Sequence, residues 1–425
     1  MIADGRNSST RMSEDSRRRA PSIASLLWIG AAAAVLRVAL FVLVGLPRGA
    51  TLLDWASSAD GGQYLRMASD WLSGPHYSKL DPAIGRLFPG LPALIAALVG
   101  LGAPPWAAAL LPSWLGSAAV CVLAGRWTGS TRVAWALATV PPIFLYAGSL
   151  ISTEVVCLVL SLAALVSTRQ ERWLLAGLCF GAAGWVRPFA IFAAIGWAVA
   201  MLRQGKVRPV WIVAAVSCAT FGAGTVLTAL RVGDPWLSFR TYAAVHQGGI
   251  LEFPFGSLLR VSFASETPTW KLFYVWSHVA VGVVGLIAGV RRIRSAEPQR
   301  EDLLWTAFLW WAGTLGFALS AGTDWGFHDF PRYLSSGLPA LFLLIDDFLP
   351  RRSLLWIAVG AASLYLAAQP ARRNFTPAAV DPFDARRGEE SAHAMPSTTI
   401  DLGSRRASGA WQETRDGRAV TGARS

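Results

Sequence analysis

Apolar runs separated by short polar gaps dominate the chain between residues 23 and 368. The run Trp173–Leu202 is interrupted only by Arg187, and Val210–Leu230 forms another long run. Runs of about 18 or more apolar residues span a bilayer as helices, whereas membrane β-strands give shorter, alternating segments. The pattern therefore predicts an all-α polytopic membrane protein with a bundle of about 10–12 transmembrane helices.

The two ends of the chain lack this pattern. Residues 1–22 are polar and basic, and residues 369–425 are polar without hydrophobic periodicity, so both are predicted to be disordered tails, the first of them cytoplasmic. Residues 23–368 form the predicted transmembrane domain. Its predicted spans are Ile23–Leu46, Trp106–Gly125, Val133–Tyr146, Ser149–Val166, Trp173–Val186, Pro188–Leu202, Val210–Leu230, Leu272–Val290, Leu303–Ala321, Tyr333–Phe348 and Leu354–Ala368.

The first polar gap, Pro47–Arg86, contains the motif Asp60-Gly61-Gly62-Gln63-Tyr64. Directly after Asp60, apolar residues recur at helical spacing, which predicts an amphipathic helix lying at the membrane interface in the first extracytoplasmic loop. The recurring residues are Tyr64, Met67, Ala68, Trp71 and Leu72. Asp60 therefore has two interpretations: the N-cap of this helix, or a catalytic carboxylate held just outside the bilayer.

Composition agrees with the membrane class. The chain is 53% hydrophobic and only 15% charged, and its net charge of +12 comes from short loops between apolar runs. Because cytoplasmic loops carry excess lysine and arginine, these clusters predict which loops face the cytoplasm, and they do not indicate nucleic-acid binding. The clusters are Arg17–Arg19, Arg169 with Arg172, Arg203–Arg208, Arg291–Arg294 and Arg351–Arg352.

The segment Phe88–Leu101 determines whether the predicted topology agrees with the charges of the loops. Gly125–Thr131 and Ser167–Arg172 both look cytoplasmic by charge, which requires that Phe88–Leu101 does not cross the membrane fully. That segment spans about 20 Å as a helix, short for a hydrocarbon core of about 30 Å. A re-entrant or tilted helix satisfies both observations. The alternative is that Arg126 and Arg132 face outside.

The cysteines do not indicate a cofactor or metal site. Four cysteines are scattered through apolar runs, with no CxxC spacing and no neighbouring histidine. Such cysteines are buried thiols rather than metal ligands or a disulfide framework. The 20 tryptophans fit an aromatic belt at the membrane surfaces. We therefore expect no metal and no cofactor.

Ionisable residues gather in three polar segments predicted to lie outside and at the ends of two apolar runs. Such groups at membrane depth are costly and mark functional sites by default. The candidates are Asp60, Gln63, Tyr64, Arg86, Glu154, Arg187, Asp234, His328, Arg332 and Tyr333. Simpler interpretations stand beside them. Arg187 and Arg332 can snorkel to the interface, Glu154 can pair with one of them, Asp234 before Pro235 can start a turn, and His328 can be a simple hydrogen-bonding residue.

Taken together, the candidates suit glycosyl transfer from a lipid-phosphate sugar. Asp60 would take a proton from the acceptor hydroxyl as general base. Arg86, Arg187 and Arg332 would hold the donor phosphate in forked geometry and stabilise the charge that develops on it. Because arginine supplies that charge, a divalent metal is not needed.

Six short motifs follow one another along the chain: Asp-Gly-Gly-Gln-Tyr-Leu at 60–65, Phe-Pro-Gly-Leu-Pro at 88–92, Ser-Thr-Glu at 152–154, Val-Arg-Pro at 186–188, Gly-Asp-Pro-Trp at 233–236 and Pro-Arg-Tyr-Leu at 331–334. Their order resembles the GT-C class of integral-membrane glycosyltransferases, most closely bacterial relatives of the PIG-V-type mannosyltransferases. Two positions depart from the family pattern. Ala59 stands where the family has tryptophan, and Gly90-Leu91 stands where Leu-Tyr is usual.

The resemblance implies a GT-C-like bundle in the inner membrane that transfers a sugar, commonly mannose, with inversion. The donor would be a polyprenyl-phosphate sugar, the reaction would occur on the extracytoplasmic face, and Asp60 falls on the family's catalytic acidic position. The acceptor, a lipid, glycan or protein, stays open. Two other functions also stay open: a secondary transporter or lipid flippase, and a non-catalytic assembly subunit in which Asp60 is only a helix cap.

Overall fold

The computed structural model describes residues 21–73, 87–140, 142–245, 251–264, 267–298, 300–321 and 329–374. These residues form α-helices and no strand, apart from an isolated bridge between Leu251 and Ala321. The helices are α1 Ile23–Leu40, α2 Leu52–Ala56, α3 Gly61–Ser73, α4 Gly90–Gly100, α5 Pro105–Thr128, α6 Thr131–Thr139, α7 Pro142–Ser149, α8 Thr153–Arg169, α9 Trp173–Val186, α10 Ala190–Arg203, α11 Val207–Val232, α12 Leu237–Val245, α13 Gly256–Ser262, α14 Thr269–Arg294, α15 Glu301–Ser320, α16 Phe330–Ser335, α17 Leu338–Leu344 and α18 Ser353–Asn374.

The predicted polytopic membrane class is confirmed. Six helical stretches of the described residues are long and apolar enough to cross a bilayer, and the pair α7–α8, bent by 102°, would make a seventh. The six are Ile23–Arg48, Pro105–Thr128, Val207–Arg231, Thr269–Arg294, Glu301–Ser320 and Leu354–Arg372. Helices α4, α9 and α10 are apolar but only 11 to 14 residues long. The number of full-length spans in the described residues is therefore below the predicted 10–12.

Broken helices account for much of that difference. The predicted span Val133–Tyr146 is divided between α6 and α7, because the backbone is extended at Val140, which precedes two prolines in the sequence. The predicted span Tyr333–Phe348 is divided between α16 and α17, each of which has a proline in its first turn. Proline suits the first turn of a helix because its missing N–H has no intrahelical partner there. These prolines begin new helices within runs that look continuous by hydrophobicity.

A buried arginine satisfies one of the broken ends. Arg37 lies within α1, fully buried, and donates to the carbonyl oxygens of Ala138 at 2.8 Å and Leu137 at 3.4 Å, both in the last turn of α6. Its guanidinium also lies 5.4 Å from the centre of the Phe144 ring. Since unpaired carbonyls are costly where water is excluded, Arg37 makes the interrupted helix tolerable at that depth.

The basic loops gather at one end of the helices, which we call the basic end. Four contacts join the helix termini there: Arg169 with the Trp127 carbonyl, Arg132 with Asp346 at 2.8 Å, Arg203 with Glu301 at 3.0 Å, and Arg292 with the Leu343 carbonyl. Arg126 and Arg132 thus belong to the same end as Arg292. Helix α4, at about 16 Å, is too short to cross a bilayer. Both observations favour a non-crossing α4 over the alternative that Arg126 and Arg132 face outside.

Large apolar side chains are exposed on the surfaces of several helices. Along α11, Trp211 is 70% exposed and Leu230 is 75% exposed, and on α1 Trp28 is 78% exposed. Soluble proteins rarely leave such large apolar patches uncovered. These helix faces therefore suit contact with lipid.

Two predicted boundaries can now be compared with the structure. Helix α1 begins at Ile23 as predicted, capped by the Ser22 hydroxyl, which accepts the N–H of Ser25 at 3.1 Å. Helix α18 continues to Asn374, so the predicted tail boundary at residue 369 is too early by about one and a half turns. The remaining parts of both predicted tails lie outside the described residues.

The amphipathic segment after Asp60 forms helix α3. Its predicted apolar face is buried within the protein, with Met67 1% and Trp71 7% exposed. This face packs in the same cluster as Leu91 and Ile95 of α4. Because other helices cover it, its apolar face does not lie open to lipid, and placement of α3 at the membrane interface stays a prediction.

Candidate active site

Asp60 lies in a tight turn between α2 and α3 that depends on its neighbours. Ala59 adopts a φ of 53°, a left-handed conformation that costs a non-glycine residue energy. Gly61 is required by close packing, because a Cβ atom there would lie 1.8 Å from the Ala56 carbonyl oxygen. The Asp-Gly pair of the motif is thus explained locally: glycine permits the turn that presents the Asp60 side chain.

Asp60 takes the N-cap position and also makes a distant contact. Its carbonyl oxygen accepts the N–H groups of Gln63 and Tyr64, which are the first hydrogen bonds of α3. Its carboxylate Oδ2 accepts a hydrogen bond from Nη1 of Arg332 at 2.8 Å. The cap position and a role in a site are therefore compatible, as a helix N-terminus favours an ionised carboxylate.

Glu154 is the buried centre of the polar network. It lies in the first turn of α8, after a break capped by Ser152, and its side chain is only 1% exposed. Its Oε1 accepts hydrogen bonds from Nη1 of Arg187 and, at 2.5 Å, from Nε of Arg332. Its Oε2 accepts from the hydroxyls of Ser152 and Thr153. One carboxylate therefore holds two guanidinium groups from different parts of the chain.

The two arginines occupy helix boundaries for local reasons. Arg187 ends α9 in extended conformation because Pro188 follows it, and its guanidinium lies 4.9 Å from the centre of the Phe189 ring. Arg332 lies in the first turn of α16, after Pro331. Arg187 thus lies where a helix ends and Arg332 where a helix begins, so neither charged group lies in the middle of a long apolar helix.

A cavity of about 380 Å³ opens onto this network, and we call it the site cavity. Its polar side is lined by Asp60, Tyr64, Thr153, Arg187, Asp329, Arg332 and Tyr333. The rest of its lining is apolar and mostly aromatic, and includes Leu87, Phe88, Phe189, Ile191, Phe192, Phe239 and Phe317. The rings of Phe189 and Phe317 meet edge to face at 4.6 Å. The cavity thus joins a charged end to an apolar wall.

A close approach at a glycine and one hydrogen bond bring residues of distant motifs to this cavity. A Cβ at Gly90 would lie 2.9 Å from Cα of Val186, so glycine lets α4 begin directly against the end of α9. Helix α12 is held by the Ser238 hydroxyl, which donates to the Leu87 carbonyl at 2.7 Å. As a result, Phe239 of α12 packs edge to face on Phe88 within the cavity wall.

The electrostatics of the cavity differ from residue to residue. Burial raises the pKa of Asp329, and the negative charge of Asp60 raises it further, although Arg332 opposes this. Burial raises the pKa of Tyr64 to about 12, so its hydroxyl stays protonated. Burial lowers the pKa of Arg332, but Glu154 and Asp60 outweigh that effect and hold it well above its usual value.

The structure brings together six of the predicted candidates: Asp60, Tyr64, Glu154, Arg187, Arg332 and Tyr333. Gln63 lies beside them on α3, with its Oε1 buried and without a hydrogen-bond partner in the described part of the chain. Asp234 does not line the site cavity. It starts a turn, accepting the N–H of Trp236 at 2.9 Å and pairing with Arg240. Arg86 and His328 lie outside the described residues.

Sequence reasoning did not select Asp329 or Thr153 as candidates. Asp329 stands three residues before Arg332, which is the spacing of a charged pair on one helical turn. That spacing was the feature of the sequence that could have identified Asp329. The described residues contain no group of three or more histidine, cysteine or acidic side chains placed to hold a metal. Comparison with known protein families and with curated proteins finds no match to this chain.

The chemistry of the site therefore has to be argued from its geometry. It offers the partly exposed carboxylate of Asp60 and the carboxyl group of Asp329, whose pKa is raised. It also offers two arginines that share the buried carboxylate of Glu154, and an apolar wall. Carboxylates accept protons, and arginines bind phosphate with paired N–H groups. The cavity thus has groups for a proton transfer, for an anion and for an apolar chain.

Proposed function

We propose that the protein transfers a sugar from a polyprenyl-phosphate donor to an acceptor hydroxyl, with inversion, in the site cavity. The observation that carries this proposal is the meeting of Asp60, Arg187 and Arg332, from three separated segments, in one cavity with an aromatic wall. The arginines suit the donor phosphate, and the apolar wall suits the first part of its lipid chain. Mannose, the sugar commonly used by the family that the motifs resemble, is the first donor to test.

In the proposed reaction the acceptor oxygen attacks the anomeric carbon while the bond between that carbon and the phosphate oxygen breaks. The acceptor proton passes to Asp60, and the leaving phosphate keeps the electron pair of the broken bond. Arg187 and Arg332 stabilise the charge that grows on that phosphate. A single displacement of this kind inverts the configuration at the anomeric carbon.

The charge balance of the resting network adds a step to this mechanism. In the described residues, Arg187 and Arg332 face Glu154 and Asp60, so the two positive charges already have two negative partners. A donor phosphate adds negative charge, so it competes with Asp60 for Arg332. Because Asp60 is 31% exposed and Glu154 only 1%, Asp60 is the partner that yields. Donor binding would then release the base beside the reacting carbon.

Purified protein incubated with a panel of radiolabelled polyprenyl-phosphate sugars, followed by product analysis, tests the proposal. Asp60→Asn, which keeps size but not basicity, should abolish transfer. Asp60→Ser, which keeps a good helix cap, should also be inactive. The matched control is Glu171→Gln, which removes an exposed carboxylate in the turn between α8 and α9 and should keep wild-type activity.

Two outcomes would count against the assignment. Full activity of Asp60→Asn would remove the base role, and restored activity in Asp60→Ser would favour a helix cap alone. Movement of the labelled lipid across proteoliposomes without any sugar transfer would instead favour the transporter or flippase alternative.

A further inference from the structure

A second cavity, of about 190 Å³, lies at the basic end, and we call it the arginine cavity. It forms where the first turns of α6 and α15 meet the ends of α14 and α17. Leu303 lines the arginine cavity, whereas Phe317 of the same helix lines the site cavity. Fourteen residues of helix separate them, about 21 Å. The arginine cavity is therefore distinct from the candidate active site.

Positive charge exceeds negative charge in the lining of this cavity. Among the described residues, Arg132, Arg292 and Arg300 line it together with one carboxylate, Asp346, which leaves two positive charges in excess. Asp346 is already engaged, since it pairs with Arg132 at 2.8 Å and accepts the Ser130 hydroxyl at 2.8 Å. No carboxylate of the described residues forms an ion pair with Arg300.

The positive charge of Arg292 is only partly neutralised by a carboxylate that lies outside the cavity lining. It donates from Nη1 to the Leu343 carbonyl, and its Nε lies 3.8 Å from Asp347, which is 62% exposed. The nearby acid Glu301 is taken by Arg203 at 3.0 Å. The neighbouring carboxylates therefore leave a positive excess in the arginine cavity.

One of the lining arginines has a buried N–H group without an acceptor. Nη1 of Arg132 is buried and has no hydrogen-bond partner in the described part of the chain. A buried charged donor without an acceptor is costly, and folded proteins rarely leave one so. The first turn of α6, whose residues Ser130 and Thr131 also line the cavity, adds the positive end of a helix dipole. Together these features fit an oxygen-rich anion.

We propose that the arginine cavity binds a phosphate group, either of a soluble phosphate or of an anionic lipid headgroup. Phosphate is favoured over a single carboxylate because several guanidinium groups can each place paired N–H donors on its oxygens. The excess of two positive charges offsets the roughly two negative charges of inorganic phosphate and the roughly one of a phosphodiester headgroup. The cavity lies at the basic end, near the membrane surface that the basic loops are predicted to face.

Calorimetric titration of the purified full chain with inorganic phosphate, at constant ionic strength in phosphatidylcholine nanodiscs, tests the soluble source. Native mass spectrometry of the detergent-purified chain with phosphatidylglycerol or phosphatidylcholine tests the lipid source. The variants are Arg132→Gln and Arg300→Gln. Arg300 has no ion-pair partner to lose within the described residues, so its variant keeps the test valid if Arg132→Gln fails to fold. The control is Arg208→Gln, an exposed arginine in the first turn of α11.

We expect Arg300→Gln to weaken binding of at least one probe about tenfold, and Arg208→Gln to leave it unchanged. Saturable phosphate binding without lipid retention identifies a soluble ligand, and selective retention of phosphatidylglycerol identifies a lipid headgroup. The proposal is overturned if neither probe binds, if Arg300→Gln binds like wild type, or if Arg208→Gln loses as much affinity as Arg300→Gln.

Discussion

Replacing Glu154 by glutamine separates the structural part of the candidate site from its chemical part. Glu154 is 1% exposed and its two partners, Arg187 and Arg332, are 12% and 27% exposed. Removing one partner of a buried ion pair leaves an uncompensated charge and costs about 3–5 kcal/mol. In Glu154→Gln the guanidinium groups keep an oxygen acceptor but lose their shared counter-charge. We therefore expect a loss of about 3–5 kcal/mol in the free energy of unfolding.

Asp60→Asn provides the comparison within the same network. The pair between Asp60 and Arg332 is 31% and 27% exposed, and Arg332 keeps Glu154 as a partner after the substitution. This pair is partly exposed, so its contribution lies nearer that of an exposed pair, about 0–1 kcal/mol, than that of a buried one, and we expect Asp60→Asn to cost about 1 kcal/mol. We therefore expect the two variants to differ in stability and in activity. Glu154→Gln should be the less stable of the two, whereas Asp60→Asn should stay folded but lack transfer activity.

Equilibrium unfolding in mixed detergent micelles, followed by the fluorescence of the 20 tryptophans, measures both free energies. Glu171→Gln, an exposed carboxylate, serves as the control and should match wild type. If Glu154→Gln were as stable as wild type, the ionic network would not hold the arginines in place. If Asp60→Asn were destabilised as strongly as Glu154→Gln, Asp60 would be a structural member of the network, and loss of activity in that variant would no longer indicate a base.

Three further predictions concern stability. Gly61→Ala should unfold at a lower temperature than Gly62→Ala, because its Cβ would lie 1.8 Å from a backbone oxygen instead of 3.3 Å; equal midpoints would contradict this. Burial raises the pKa of Asp329 in the fold, so its contribution to stability is full below about pH 4 and is lost as the pH rises through the raised pKa. Asp329→Asn, which cannot ionise, should therefore gain stability relative to wild type as the pH rises above about 4; a pH-independent difference in melting temperature would refute this. Arg37→Met should cost at least about 1–3 kcal/mol, because two carbonyls of α6 lose their donor, and unfolding at the wild-type midpoint would disprove it.

The residues of the site were visible in the sequence, but their pairing was not. Asp60, Glu154, Arg187 and Arg332 stand out because ionised groups are rare at the ends of apolar runs. Their contacts join residues as far as 272 positions apart, between Asp60 and Arg332, and depend on how helices pack. Local periodicity carries no information about such contacts. The aromatic wall was missed for a similar reason, since phenylalanines within an apolar run look alike whether they face lipid, core or cavity.

The breaks in the helices were the harder feature to predict. An apolar run has the same hydrophobicity whether one helix continues through it or two short helices share it. Arg37, on another helix, donates to buried carbonyls at the end of α6 and so makes the break between α6 and α7 acceptable. Residues of a distant helix therefore decide whether a proline in an apolar run divides a span, which explains why the predicted number of spans exceeds that of the described residues.

Arg332 links the buried side of the ionic network to its partly exposed side. It joins Glu154, which is buried and held by two hydroxyls, to Asp60, which faces the site cavity. An incoming phosphate gains little by competing for the buried side, because displacing Glu154 would leave a carboxylate without a counter-charge in a place that water does not reach. Displacing Asp60 costs less, since that carboxylate is already partly exposed. In the proposed mechanism, the same asymmetry that makes Glu154 structural makes Asp60 the group that donor binding would release.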